Sequence, residues 1–107
     1  MGYYTDFQVR IKRINNVNEG LTMVEKLFGP TRVRNASDSE IELYSFNGKW
    51  YGWKEECVEA SYMCPHAIIE IKAEGEETGD IWKARVQNGN VEIVEAKITF
   101  EKFKEII

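Results

Sequence analysis

Phe7, Val9 and Ile11 alternate with Gln8, Arg10 and Lys12. A period of two marks a half-buried strand, predicted here over residues 4–14. Asn15-Asn16 breaks the alternation, and Asn16 with Glu19 has the spacing of a capping box. Leu21, Val24, Leu27 and Phe28 then recur at helical spacing, and Gly29-Pro30 ends that first helix. Residues 31–39 are polar and read as a loop. Ile41 and Leu43 alternate with Glu40, Glu42 and Tyr44, which predicts a second strand. Asn47-Gly48 reads as a tight turn, returning through Lys49–Trp53 as a third.

Lys54–Met63 is expected to be a short helix with Cys57, Val58, Ser61 and Tyr62 on one side, ended by Pro65. Ala67–Ala73 is rich in β-formers, and an acidic, glycine-hinged stretch follows it. Ile81–Gln87 and Asn90–Phe100 are two further strands joined at Asn88-Gly89, because both central residues of a type I′ turn need φ > 0. The tail, 101–107, suits a short helix docking Phe103 and Ile106. The predicted order is β-α-β-β-α-β-β-β, an α+β class. Its first six elements match a ferredoxin-like split βαβ core with both helices on one face of the sheet. Two additional C-terminal antiparallel strands would extend that sheet.

A length of 107 residues with 43% hydrophobic and 12% aromatic content suits one domain, 1–107, with a real core. The formal net charge of −4 argues against a phosphate-backbone binder and suits a protein partner with a basic surface. No apolar run reaches the length of a membrane span, and the N-terminus carries no secretory or myristoylation pattern. Cys57 and Cys64 lie too close together to frame a secreted fold, so free thiols and a cytoplasmic setting are expected.

Cys57, Cys64 and His66 are the weak metal candidates. A structural zinc site wants four ligands and a shorter cysteine knuckle, so no metal and no cofactor is expected. Cys64 with His66, the only histidine, is the one nucleophile pair the chain offers, and it lacks an evident orienting residue. No catalytic residue is assigned. Phosphate-cradling and zinc-protease motifs are absent. Glu74, Glu76, Glu77 and Asp80 form an acidic loop, read either as solvated or as a partner-facing patch. Tyr44, Phe46, Trp50, Tyr51 and Trp53 crowd one stretch. A base-stacking platform is one reading, but the RNA-recognition signature is missing and Glu40, Glu42, Glu55 and Glu56 would repel phosphate. Core packing with a protein contact is the preferred one.

Gly48-Lys49-Trp50-Tyr51-Gly52-Trp53, then Glu74–Trp82, Asn88-Gly89 and Ala96-Lys97-Ile98-Thr99-Phe100, resemble segments recurring in a group of small bacteriophage and prophage proteins. The resemblance covers most of residues 40–103. It implies an accessory factor in a bacterial host cell that binds and inhibits host machinery, such as a CRISPR or other defence effector. The partner-binding residues would be Glu74, Glu76, Glu77 and Asp80, with Trp50, Tyr51, Trp53 and Trp82 as aromatic anchors. An exposed sheet edge would also suit a homodimer. Two rivals remain. One is an RNA, single-stranded DNA or nucleotide binder using Arg10, Lys12, Arg13, Arg32 and Arg34. The other is a small cysteine-dependent enzyme at Cys64 and His66.

Overall fold

The structure is a computed structural model that describes residues 4–28, 33–75 and 81–95. Its elements are β1 (Thr5–Lys12), α1 (Val17–Leu27), β2 (Val33–Ala36), β3 (Glu40–Leu43), β4 (Phe46–Gly48), α2 (Trp53–Ser61), β5 (Ile68–Gly75), β6 (Ile81–Gln87) and β7 (Asn90–Glu95). The class is α+β, as expected. The strands form one antiparallel sheet in the order β2-β3-β1-β5-β6-β7, with β4 also paired to β1. Among the described residues no helix is long and apolar enough to cross a membrane.

β1 is the axis of the sheet. It pairs along its whole length with β5 on one edge and with β3 and then β4 on the other. Its alternation is observed as predicted: Phe7, Val9 and Ile11 are buried, and Gln8 and Arg10 are exposed. Ile69, Ile71 and Ala73 of β5 and Ala84 and Val86 of β6 continue the buried side. Met23, Val24 and Leu27 of α1 and Cys57 and Ala60 of α2 join the same core. α1 touches β3 and α2, and α2 touches β5, β6 and β7.

The α1 start is as expected. Asn16 caps it by accepting from Glu19 N at 2.9 Å, and Asp38 Oδ1 accepts from Val17 N at 3.1 Å. α2 spans Trp53–Ser61, one residue earlier at its start and two shorter at its end than predicted. Asn88 (φ 47°) and Gly89 (φ 79°) make the predicted turn between β6 and β7. The expected strand continuation over 96–100 and the tail helix lie outside the described residues, as does Gly29-Pro30.

Two expectations are corrected. Asn47-Gly48 is not a hairpin turn, and Lys49–Trp53 is not a returning strand. Asn47 pairs with Asp6 and Gly48 with Thr5 in β4, and neither has positive φ. The step from Arg10 to Phe7 in β1 is matched by the longer step from Glu42 to Phe46, so β3 and β4 are one strand interrupted by a bulge at Tyr44-Ser45. The bulge flips side-chain parity and brings Phe46 to the same side as Ile41 and Leu43. Residues 33–36 are the second correction, since they form an edge strand and not a loop. β2 has no apolar alternation because it sits at the sheet edge with Arg34, Asn35 and Ala36 exposed, and polar edges resist unwanted pairing.

Gly20 is buried where α1 crosses β3. A Cβ there would stand 2.5 Å from Ile41 Cγ1 and 2.7 Å from Ile14 Cδ1. Alanine favours a helix by about 1 kcal/mol over glycine. Overpacking a filled core costs about 1–3 kcal/mol and outweighs it. Gly20→Ala should therefore lower the denaturant midpoint by urea titration with an unchanged m-value. A midpoint at or above the parent's would contradict this contact.

Candidate functional site

β1 begins, β4 and β5 end and β6 begins at one end of the sheet. Phe7 carries the aromatic cluster there, 5.2 Å from Phe46, 5.5 Å from Trp50 and 6.3 Å from Trp82 by ring centroids. Phe28 closes it from the end of α1, 4.8 Å from Trp50. Trp53 opens α2 and packs against Trp82 with ring centroids 4.9 Å apart and planes tilted by 33°. Trp50 Nε1 donates to Glu56 Oε2 at 2.7 Å, so its polar edge is satisfied while its ring is half-buried. The sequence-predicted anchors Trp50, Trp53 and Trp82 are thus gathered at one end, with part of each ring packed on the core. Tyr51 differs, being 70% exposed. Tyr4 is 51% exposed and has Lys49 Nζ 5.0 Å from its ring centroid.

Glu74 lies at the same end, exposed and directly opposite Asp6 across β1 and β5. Asn47 Nδ2 donates to Asp6 Oδ1 at 2.7 Å, and neither carboxylate has an ion pair among the described residues. Opposed like charges destabilise a sheet unless something else balances them. Glu76, Glu77 and Asp80 lie outside the described residues.

The rings belong to the core side. Phe7, Phe46 and Trp82 share the parity of the buried residues, because Trp82 faces Ala73 and Phe46 faces Phe7. Among the described strand residues the sheet's other side carries polar and charged groups with Ile68, Ile81 and Val94, and none of them is aromatic. A base-stacking platform needs rings on that side, and the described strand residues do not supply them.

Cys64 and His66 meet at the Glu19 carboxylate, which Cys57 does not join. Cys57 is fully buried in the core, and that burial, followed by the nearby Glu56 charge, pushes its thiol up to about 12. Burial and then the Glu19 carboxylate push Cys64 up to about 11. Both thiols are held protonated at neutral pH, the reverse of an activated nucleophile. His66 Nε2 meets Glu19 Oε1 at 2.6 Å. Among the described residues no group of three or more His, Cys, Asp and Glu is placed to hold a metal ion.

Glu19 is the residue that sequence reasoning undervalued. It was visible as the capping partner of Asn16, and the structure gives it more to hold. Its carboxylate accepts from Asn15 N and Asn15 Nδ2, each at 3.2 Å, and reaches His66 in the link between α2 and β5. Burial works to raise its pKa, but the Asn15 amide and then His66 outweigh it, and the net shift is downward. The spacing of Glu19 and His66 in the chain held no signal of this pairing.

Comparison with known protein families, curated proteins and solved structures finds no match.

A carboxylate with a lowered folded pKa contributes stability above its unfolded pKa. That contribution is lost as pH falls through the folded value. The stability gap between the parent and Glu19→Gln, from urea titrations, should therefore be largest near neutral pH and shrink in acid. A gap independent of pH would show that the charge of Glu19 holds nothing. The two thiols should react with a disulfide reagent at mildly alkaline pH only after unfolding. A rapid native-state reaction at Cys64 would overturn its assignment as an inert thiol.

Proposed function

We propose that this domain is a protein-binding module that works by covering a basic surface of its partner. The observation that carries the reading is the juxtaposition at one end of the sheet. Asp6 and Glu74 stand opposed, with no ion pair among the described residues, at the end of the sheet that also carries the exposed Tyr51 and Tyr4. Aromatic side chains on a rigid base anchor interface centres, and uncompensated charge beside them steers a complementary partner. Glu76, Glu77 and Asp80, within six residues of Glu74 in the sequence, are the further acids of this reading. The half-buried Trp50, Trp53 and Trp82 stiffen the end and offer their outer edges to the contact.

The scaffold is read as ferredoxin-like. The order β2-β3-β1-β5, with α1 between β1 and β2 and α2 between β4 and β5, suits a split βαβ core. Contact between α1 and α2 supports placing both on one face. β6 and β7 are then the two added strands. The resemblance to small phage and prophage proteins supplies the partner class, a bacterial defence protein such as a CRISPR effector, inhibited without catalysis. Burial of the thiols and the engagement of His66 by Glu19 support the non-enzymatic reading.

The test begins with affinity capture from a bacterial lysate and identification by mass spectrometry, followed by binding kinetics with the purified partner. Glu74→Lys combined with Glu76→Lys and Glu77→Lys should slow association about tenfold or more at low salt and leave the circular dichroism spectrum unchanged. Tyr51→Ala should act mainly on dissociation. Parent-like association by the triple variant would sink the proposed contact surface.

A further inference from the structure

We infer that the solvent-facing side of the sheet holds an oxyanion site, built on Lys72, Lys83 and Gln8, that takes the phosphoryl group of a small phosphorylated molecule. Cross-strand register makes the argument. Glu42, Arg10, Glu70, Arg85 and Glu92 face one another in sequence across β3, β1, β5, β6 and β7. That row alternates in sign at every step.

Side-chain pairs complete the balance. Arg10 lies 3.9 Å from both Glu40 and Glu42, Lys12 is 3.1 Å from Glu70, and Arg85 is 3.0 Å from Glu92. Arg34 adds a second cation to Glu42 at 3.4 Å. The next row breaks the rule. Gln8 faces Lys72, and Lys72 faces Lys83. Among the described residues neither lysine forms an ion pair, and both are exposed. The carboxylates of Glu70 and Glu92 are engaged elsewhere, and Glu74 is a further pair along β5.

Two ammonium groups on directly opposed positions repel, which costs the sheet stability. A shared anion between them reverses the sign. The row lies in a cleft of about 470 Å³ whose walls include Arg10, Arg85, Glu70, Glu92 and Val94. That volume suits a small molecule. A tetrahedral dianion could accept from both ammonium groups and from the Gln8 amide. The body of the ligand would lie on Val94 and the lysine stems. Among the described residues no ring lines the cleft, so an aromatic base gains little there and a non-aromatic phosphomonoester fits best.

The site occupies a different row from Asp6 and Glu74, so it stands or falls apart from the partner-binding reading. The test follows backbone amide shifts of the full chain by NMR at constant ionic strength. Glycerol phosphate is the small-molecule probe, and a 5′-phosphorylated oligonucleotide with its unphosphorylated twin is the other source of the same group. Saturable shifts at residues 8, 72 and 83 with glycerol phosphate, weakened at least about tenfold in K72Q/K83Q, are expected. The double variant should also melt at or above the parent's temperature when no anion is present, which separates lost binding from lost folding. Undiminished binding by the double variant would overturn the site, as would shifts that never saturate. Equal, tighter binding of both oligonucleotides would overturn it in favour of a nucleic-acid backbone track.

Discussion

A sheet that buries one side only must keep its apolar side chains in phase on every strand. In this molecule β1 sets the phase, because it pairs along both edges and its odd-numbered residues, Phe7, Val9 and Ile11, form the centre of the core. β5 and β6 follow in unbroken register. The partner on the other edge cannot, since Ile41 and Leu43 have one parity and Phe46 the other. The bulge at Tyr44-Ser45 resolves the conflict. Without it Phe46 would point to solvent, and the cluster that it shares with Phe7, Phe28 and Trp50 would lose its middle.

That constraint also explains which parts of the fold were legible. β1, α1, α2, β5 and the β6–β7 turn each carry a local signal, whether alternation, helical spacing or a left-handed Asn-Gly pair. Asn47-Gly48 carries the same dipeptide signal as Asn88-Gly89 and folds differently, because Asn47 is held in the ladder by Asp6, far away in sequence. β2 was illegible for the opposite reason. An edge strand that buries little needs no pattern of its own and is defined by its backbone pairing with β3. The candidate site divides in the same way. Glu74 and the rings could be named from the chain, and their meeting at one end of the sheet follows from pairings that only the fold reveals.

Charge on the solvent-facing side has a comparable logic. Single exposed pairs such as Arg85 with Glu92 add at most about 1 kcal/mol each. Their significance lies in the regularity that they create. Against an alternating row, two adjacent departures stand out, one negative at Asp6 and Glu74 and one positive at Lys72 and Lys83. Adjacent patches of opposite sign give the surface a direction, which a partner can read as orientation before any close contact forms.

One hydroxyl ties the tip of the last hairpin to the end of α2. Ser61, fully buried at the end of α2, donates to Val58 O at 2.6 Å and accepts from Gly89 N at 2.8 Å. The turn at Asn88-Gly89 forms from neighbouring residues and closes quickly by itself. Its anchorage to Ser61 joins residues 28 positions apart and exists only once α2 has docked. The hairpin therefore belongs kinetically to two stages, made early as a local ribbon and locked late as part of the globule. The helix terminus and the ribbon tip would come apart together whenever either one opens.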